Sequence, residues 1–216
     1  MAEINLLRSL PKTKRSIDSR SSAKTEEKIR IASEFGQMYF DGPREYGYGG
    51  YSYDGRWRTV ARDIVDHFKL VHGDRLLDIG CAKGFLVKDL LELGIDAYGI
   101  DVSEYALMNC EPEAVGRLHL GSADNLLFPD NSFAAVVSIN TTHNLVRENC
   151  IIALQEMERL APGKGFIQVD AYYTDEQKKV FEDWVLTAKY YGYPEEWISV
   201  FQEAGYTGDW NWTIIE

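Results

Sequence analysis

The stretch that most restricts the fold runs from residue 75 to residue 103. A short apolar segment, Arg75–Ile79, leads into a glycine-containing loop at residues 80–84, and the apolar residues that follow recur at helical spacing. A second apolar segment then ends at Asp101. This order predicts a strand, a helix and a second strand. Such a βαβ unit builds a parallel sheet, and parallel sheets bind ligands beyond the carboxyl ends of their strands.

The loop after the first strand has the residue types of a nucleoside-binding turn. Gly80 allows the backbone to turn sharply and to approach a ligand, and the following helix directs its free N–H groups at that ligand. Asp101 follows about 20 residues later, where an acid binds ribose hydroxyls. A dinucleotide fingerprint needs glycine where the chain has Ala82 and Phe85, which argues against a nicotinamide enzyme. The sequence also contains no P-loop motif.

These residues resemble the first two motifs of class I S-adenosylmethionine (SAM) dependent methyltransferases. The first motif has an acid two residues before a G-x-x-x-G loop, and LLDIGCAKG matches it with Asp78, Gly80 and Gly84. The second motif is the acid that ends the second strand, which is Asp101 in GIDVS. The resemblance covers roughly residues 57–170 and implies SAM as the cofactor. The alternative is a βαβ turn whose glycines serve only packing.

The resemblance also implies which residues bind the cofactor. The loop glycines contact the amino-acid moiety in this family, and an acid after the third strand contacts the adenine together with an apolar neighbour. Here that acid is Asp124 and the neighbour is Ala123 or Asn125, unless the segment is a polar surface loop. The predicted cofactor-binding residues are Asp78, Gly80, Cys81, Gly84, Asp101, Val102, Ala123, Asp124 and Asn140.

The predicted architecture is a three-layer Rossmann-like α/β fold, with a mostly parallel central sheet flanked by helices. We expect helices over residues 25–40 and 57–71, a helical insert over residues 172–193, and a sixth strand in the last eleven residues. No residues remain for the seventh, antiparallel strand of the family. The sheet edge is therefore covered by the aromatic tail, by the N-terminal arm or by a partner.

The first 24 residues form a basic arm, and residues 25–216 are expected to form one domain. Two interpretations of the arm stay open. It is either a loosely docked tail, or a segment that closes over the site or contacts a partner subunit. Its basic residues are Arg8, Lys12, Lys14, Arg15, Arg20 and Lys24.

Residues 41–55, DGPREYGYGGYSYDG, combine five glycines with four tyrosines, and this glycine density excludes a regular helix. Tyrosine rings can contact a cation such as a sulfonium. We therefore propose Tyr46, Tyr48, Tyr51 and Tyr53 as substrate-binding residues, with an aromatic strap packed on the core as the alternative.

Polar residues follow the fourth and fifth predicted strands. Asn140, His143 and Asn144 come after FAAVVSI, and Asp170 ends FIQVD. We expect His143, Asp170 and Asn140 to be catalytic and Asn144 to contact the substrate. His143 is a candidate general base, although positioning alone carries much of a methyl transfer, so lining the pocket or capping a helix are its alternative roles. Asp170 either orients the acceptor or caps the following segment.

Composition limits the classes of partner and the location. The net charge of −11 argues against a broad nucleic-acid-binding surface. The three cysteines have no metal-binding or disulfide spacing, which favours a reduced, cytoplasmic protein without a bound metal. No apolar run is long enough for a membrane span. The sequence leaves a homodimer open.

The function expected from the sequence is SN2 transfer of a methyl group from SAM to an oxygen or nitrogen atom of a small molecule. Two alternatives use the same cofactor site. One is cyclisation or elimination of SAM itself, with the tyrosine-rich loop around the sulfonium. The other is a domain that binds SAM without catalysis.

Overall fold

The computed structural model describes residues 1–11 and 17–215, without the side chain of Asp18. Over these residues the chain forms nine α-helices and six β-strands. The helices are α1 (Ile17–Ala23), α2 (Glu26–Ala32), α3 (Gln37–Phe40), α4 (Trp57–Phe68), α5 (Phe85–Glu92), α6 (Glu104–Met108), α7 (Arg147–Leu160), α8 (Asp175–Trp184) and α9 (Pro194–Ala204). The strands are β1 (Arg75–Ile79), β2 (Asp96–Asp101), β3 (Leu118–Leu120), β4 (Ala135–Ile139), β5 (Gly165–Asp170) and β6 (Asp209–Thr213).

All six strands pair in parallel, in the order β3-β2-β1-β4-β5-β6. The strand order reverses direction between β1 and β4, and this is where open α/β sheets bind their ligands. Since the strands are parallel, Asp101, Asn140 and Asp170 lie at the same edge of the sheet as the loop after β1. The sheet thus confirms the predicted parallel architecture.

Helices cover both faces of the sheet, which gives the three layers that the sequence predicts. On one face, Val60 and Ile64 of α4 and Leu90 of α5 belong to one fully buried apolar cluster. On the other face, Met157 of α7 and Trp197 of α9 belong to a second cluster. The central strands contribute residues to both clusters, because successive side chains of a strand point to opposite faces.

The N-terminal residues cover the outer edge of β6. The N–H of Ile4 donates to the carbonyl of Trp210 at 2.8 Å, and the N–H of Trp210 donates to the carbonyl of Ala2 at 3.1 Å. Leu6 and Leu7 are buried in the same apolar cluster as α4. Of the three edge covers that the sequence left open, the structure shows the N-terminal arm. No seventh strand occurs within residues 1–11 and 17–215.

The arm is docked wherever it is described. Residues 1–11 pack on β6 and α4, and α1 packs on α8. Lys12, Lys14 and Arg15 lie outside the described residues. The interpretation as a loosely docked tail therefore does not fit the part of the arm that can be seen.

Three helices end earlier than the sequence predicts. The helix expected over residues 25–40 is broken between α2 and α3, because Phe35 has φ +48° and Gly36 follows it. Helix α4 ends at Phe68, since Lys69 adopts the left-handed conformation. The insert helix ends at Trp184, so the segment from Val185 to Gly192 is irregular.

Within the described residues, no helix has the length and apolar character required to cross a membrane.

Candidate active site

A cavity of about 650 Å³ lies beyond the carboxyl ends of β1, β4 and β5. Its wall is built from the loop after β1, the ends of β4 and β5, the tyrosine-containing loop and the irregular segment after α8. Four predicted cofactor-binding residues line it: Asp78, Gly80, Cys81 and Asn140. The residues proposed for catalysis, His143 and Asp170, line the same cavity.

The glycine loop has a shape that its sequence requires. Gly80 has φ +79°, and a Cβ there would lie 2.0 Å from Oγ1 of Thr141. Gly84 has φ +76° and is the residue from which α5 begins. Ala82 also has a positive φ of 49°, which L-residues with a Cβ rarely adopt. The backbone of this loop is therefore held in a conformation that brings it next to the cavity.

Two carboxylates flank this loop and differ in their partners. Asp101 accepts the N–H of Ala82 with Oδ2 and the N–H of Ser103 with Oδ1, both at 2.8 Å. Asp78 is 5% exposed, and its carboxyl group has no hydrogen bond or ion pair to any described residue. Burial and the charge of Asp101 raise the pKa of Asp78 to about 7. A cationic or hydrogen-bond-donating ligand would offset the cost of ionising this buried carboxyl group.

Only two of the four loop tyrosines line the cavity. Tyr51 stacks on Phe85 at the start of α5, with 4.7 Å between ring centroids, and Tyr48 lies 4.4 Å from Tyr51. Tyr46 instead lies under the ammonium group of Lys28, and the hydroxyl of Tyr53 donates to Asp89. The proposed substrate contacts of Tyr46 and Tyr53 are therefore not supported by their positions, since each ring packs outside the cavity.

An ion pair fixes the tyrosine-containing loop over the glycine loop. The ammonium group of Lys83 lies 2.7 Å from Asp41 and donates to the carbonyl of Tyr51 at 2.9 Å. Asp41 also accepts the N–H of Tyr51 and the hydroxyl of Tyr105. The positive charge of Lys83 is thus paired with the carboxylate of Asp41.

His143 and Asp170 form the polar pair at the ends of β4 and β5. The backbone N–H of Asp170 donates to Nδ1 of His143 at 3.1 Å, and Oδ2 of Asp170 lies 3.3 Å from the same nitrogen. A neutral ring that accepts at Nδ1 carries its proton on Nε2. Asn140 has φ +54°, and its side-chain oxygen accepts the hydroxyl of Thr213 at 2.7 Å.

The predicted nucleoside end of the site lies apart from this cavity. A second, more open depression of about 450 Å³ lies at the ends of β2 and β3, and its lining includes Val102, Phe35 and Gly121. Asp124 lines neither of these two spaces. Its carboxylate accepts hydrogen bonds from Ser122 and Asn149. The remaining predicted residues that line neither space are Gly84, Asp101, Ala123 and, for the substrate, Asn144.

Several residues of the cavity wall lie outside the two motifs formed by the glycine loop and Asp101. Tyr39 of α3, Arg20 of α1 and Arg44 of the tyrosine-containing loop line the cavity, as do Trp184 and Thr187. The sequence places Arg20 in the basic arm and Trp184 and Thr187 in the insert over residues 172–193, but no motif marks these side chains as facing a cavity.

The residues present fit the cofactor that the motifs imply. Asp78 offers a buried, unpaired carboxylate, and Tyr51 with Phe85 offers an aromatic wall beside the glycine loop. SAM carries a sulfonium and an ammonium group, which such groups stabilise. The oxygens of Asp101 keep lone pairs for ribose hydroxyls, since each accepts one N–H.

Comparison with known proteins gives a matching domain and a matching fold. Residues 77–169 match the family model described as a methyltransferase domain. A search of curated protein sequences gives no significant match.

Three solved structures illustrate the likeness of the fold. A SAM-dependent methyltransferase from Archaeoglobus fulgidus has 22% identity and a TM-score of 0.55 over 68% of this chain and 66% of its own. A candidate methyltransferase in complex with the Trm112 activator of Haloferax volcanii has 22% identity and a TM-score of 0.55, over 69% and 67%. A candidate methyltransferase from Bacillus halodurans has 16% identity and a TM-score of 0.55, over 67% and 68%.

At these identities the structures show a shared fold. The matched residues, 77–169, include Gly80, Gly84 and Asp101 of the two motifs. This chain therefore carries a match to a methyltransferase domain within the fold of solved SAM-dependent methyltransferases, and SAM is the cofactor that this match implies.

Proposed function

We propose that this enzyme transfers a methyl group from SAM to an oxygen or nitrogen atom of a small-molecule acceptor. The observation that carries the proposal is the single cavity that joins Asp78 and Gly80 of the cofactor motif to His143 and Asp170 at the neighbouring strand ends. Its volume of about 650 Å³ lies in the range of small-molecule sites. A cofactor and an acceptor that share this space are held close together, which favours an in-line displacement.

Different residues in and beside the cavity have different roles in this proposal. When bound, SAM supplies a methyl group activated by its sulfonium. Asp78 and Asp101 hold the cationic and ribose parts of the cofactor in this proposal, and the rings of Tyr48 and Tyr51 exclude water beside the glycine loop. Positioning of the acceptor then falls to the polar residues at the ends of β4 and β5.

We assign His143 a positioning role. Its Nδ1 accepts the N–H of Asp170, so the neutral ring donates from Nε2 and has no lone pair there to take a proton. An acceptor oxygen or nitrogen that accepts this hydrogen bond is held at the strand ends. The general-base role predicted from the sequence would require the opposite tautomer, in which Nδ1–H faces the carboxylate of Asp170.

Net charge and cavity volume support a small acceptor. The chain has a net charge of −11, whereas binding to nucleic acid requires a basic surface, and the cavity has a volume of about 650 Å³. The Haloferax volcanii neighbour was solved together with an activator. A cytoplasmic location remains part of the proposal, and the homodimer stays a prediction.

Cyclisation or elimination of SAM is the second candidate, and the adjacent rings of Tyr48 and Tyr51 beside the glycine loop are the observation in its favour. One experiment separates the two. The protein is incubated with methyl-deuterated SAM, with and without a small-molecule extract, and the products are identified by mass spectrometry. We expect S-adenosylhomocysteine and a deuteromethylated compound only with the extract. Methylthioadenosine formed without the extract would instead establish chemistry on SAM itself, and binding of SAM without any product would indicate a non-catalytic domain.

A further inference from the structure

Two arginines lie side by side in the cavity wall. Arg20 comes from α1 and Arg44 from the tyrosine-containing loop, and both line the cavity. The guanidinium carbon of Arg20 lies 4.2 Å from the centroid of the Trp184 ring, and that of Arg44 lies 5.5 Å from the same ring. Three segments that are distant in the sequence therefore place two positive charges on one aromatic platform.

The hydrogen bonds of these arginines leave their charges uncompensated. Arg20 donates from Nη2 to the carbonyls of Arg44 and Gly47, and Arg44 donates from Nη1 to the carbonyls of Gly47 and Tyr48. A carbonyl satisfies a donor but carries no net charge. Among the side chains that the structure describes, which exclude that of Asp18, neither arginine forms an ion pair. The Nε of Arg20 is buried and has no partner there.

This arrangement costs free energy in the protein alone. Burial and the nearby charge of Arg44 lower the pKa of Arg20 to about 10. A third arginine of the cavity wall, Arg56, shows the usual solution, because its guanidinium pairs with Asp54. In a chain with a net charge of −11, these two adjacent arginines of the cavity wall have no carboxylate partner among the described side chains. A bound anion would offset both the burial and the repulsion.

The cavity wall carries side chains of both charges. Asp78 and Asp170 supply negative charge at the strand ends, next to the cofactor motif. A cationic cofactor is favoured at the acidic end, and a molecule with a negative group is favoured on the arginine side.

Resting on the proposed methyl transfer, we propose that Arg20 and Arg44 bind an anionic group of the acceptor, a carboxylate or a phosphate. The planar guanidinium fork binds either group with two parallel hydrogen bonds. The unpartnered Nε of Arg20 supplies one such donor. The acceptor is then a small molecule whose negative group is held on the arginines while its nucleophilic atom lies near His143.

The test is a calorimetric titration in two steps. S-adenosylhomocysteine is first added to saturation, and inorganic phosphate or malonate is then titrated into the complex. We expect at least one anion to bind, and the tighter of the two identifies the group as phosphate or carboxylate. Arg20→Gln and Arg44→Gln should each weaken that binding by about ten- to a hundredfold, the effect of losing charge-assisted hydrogen bonds. Arg20→Lys, which keeps the charge and the fold but loses the fork, should give an intermediate affinity.

Arg62→Gln is the matched control, because it removes one positive charge from an exposed position of α4. It should leave the affinity for the anion unchanged. The proposal is overturned if neither anion binds the complex. It is also overturned if Arg20→Gln and Arg44→Gln bind the anion no more weakly than Arg62→Gln does. The first titration step separates this failure from that of the proposed function: a chain that does not bind S-adenosylhomocysteine fails there, before any anion is added.

Discussion

The residue at which stability and function conflict is Asp78. Its carboxyl group is buried without a partner, and its pKa in the folded protein is raised from 3.8 to about 7 by burial and by Asp101. The folded protein therefore holds this proton more tightly than the unfolded chain does. The stability contributed by the group is present below about pH 4 and is lost as the pH rises to 7.

We predict that Asp78→Asn stabilises the protein without cofactor at pH 8 and has little effect on its stability near pH 4. The gain at pH 8 should be on the order of a few kcal/mol, since the variant never carries the buried charge. Urea unfolding at the two pH values measures it. Asp66→Asn, at an exposed position of α4, is the control and should change neither value. An Asp78→Asn protein that is less stable than the wild type at pH 8 would contradict the expectation.

At His143 the prediction concerns a single proton. We expect nitrogen NMR of the labelled protein to show the neutral ring protonated on Nε2, because Asp170 donates its N–H to Nδ1. The spectrum of His143→Gln assigns the signal among the four histidines. A neutral ring protonated on Nδ1 would restore the general-base role, since Nε2 would then carry the lone pair.

Polar residues at strand ends could be predicted from the sequence, whereas the placing of Arg20, Arg44 and Trp184 in the cavity wall could not. Asp78, Asn140, His143 and Asp170 each follow an apolar run, and the ends of parallel strands meet at one edge of a sheet. No comparable rule says which side chain of an irregular segment turns inward. Arg20 was therefore predicted only as part of a basic arm.

Among the elements, the loop that spans residues 41–55 matters most for the site, and Lys83 fixes it. The ammonium group of Lys83 binds both Asp41 and the carbonyl of Tyr51. We predict that Lys83→Met releases the loop. Limited trypsin digestion should then cleave faster at Arg44 and Arg56, because a loop must leave its packed position before a protease can bind it.

Lys164→Met is the control for this variant, since Lys164 is an exposed residue of the turn before β5. Its rates of cleavage at Arg44 and Arg56 should match those of the wild type. Equal protection of the loop in Lys83→Met would show that the stacking of Tyr51 on Phe85, rather than the ion pair, holds it in place.

Element boundaries show where periodicity stops being informative. The apolar spacing predicts α7 at the residues where it is found, Arg147–Leu160, because nothing within it breaks the backbone pattern. The same spacing continues through Phe35 and Gly36, where the backbone leaves the helix. It also continues past Trp184, where the chain leaves the helix and lines the cavity. These two breaks therefore lie in segments that line the cavity or the second depression.

For the whole molecule, the N-terminal residues complete the sheet. Removing residues 1–10 deletes the pairing of Ile4 with Trp210 and the burial of Leu6 and Leu7. We predict a loss of roughly 3–6 kcal/mol in unfolding free energy from the two leucines alone. We also predict increased self-association, because the edge of β6 becomes available for pairing.

Thermal unfolding and size-exclusion chromatography measure the two effects separately. A Leu6→Ala, Leu7→Ala double variant keeps the backbone pairing, so it should lose stability without gaining self-association. If the truncated protein kept the size and stability of the full-length chain, the arm would have no structural role.

Calorimetric titration with S-adenosylhomocysteine tests most directly that residues of the glycine loop and of the end of β2 bind the cofactor. We expect one molecule to bind per chain, and Asp78→Asn to weaken binding by about tenfold or more through loss of charge. Val102→Arg, at a residue that is 52% exposed and lines the second depression, should do the same by blocking the nucleoside end. The assignment of the site would be wrong if the wild type did not bind S-adenosylhomocysteine. It would also be wrong if both variants bound it as tightly as the wild type.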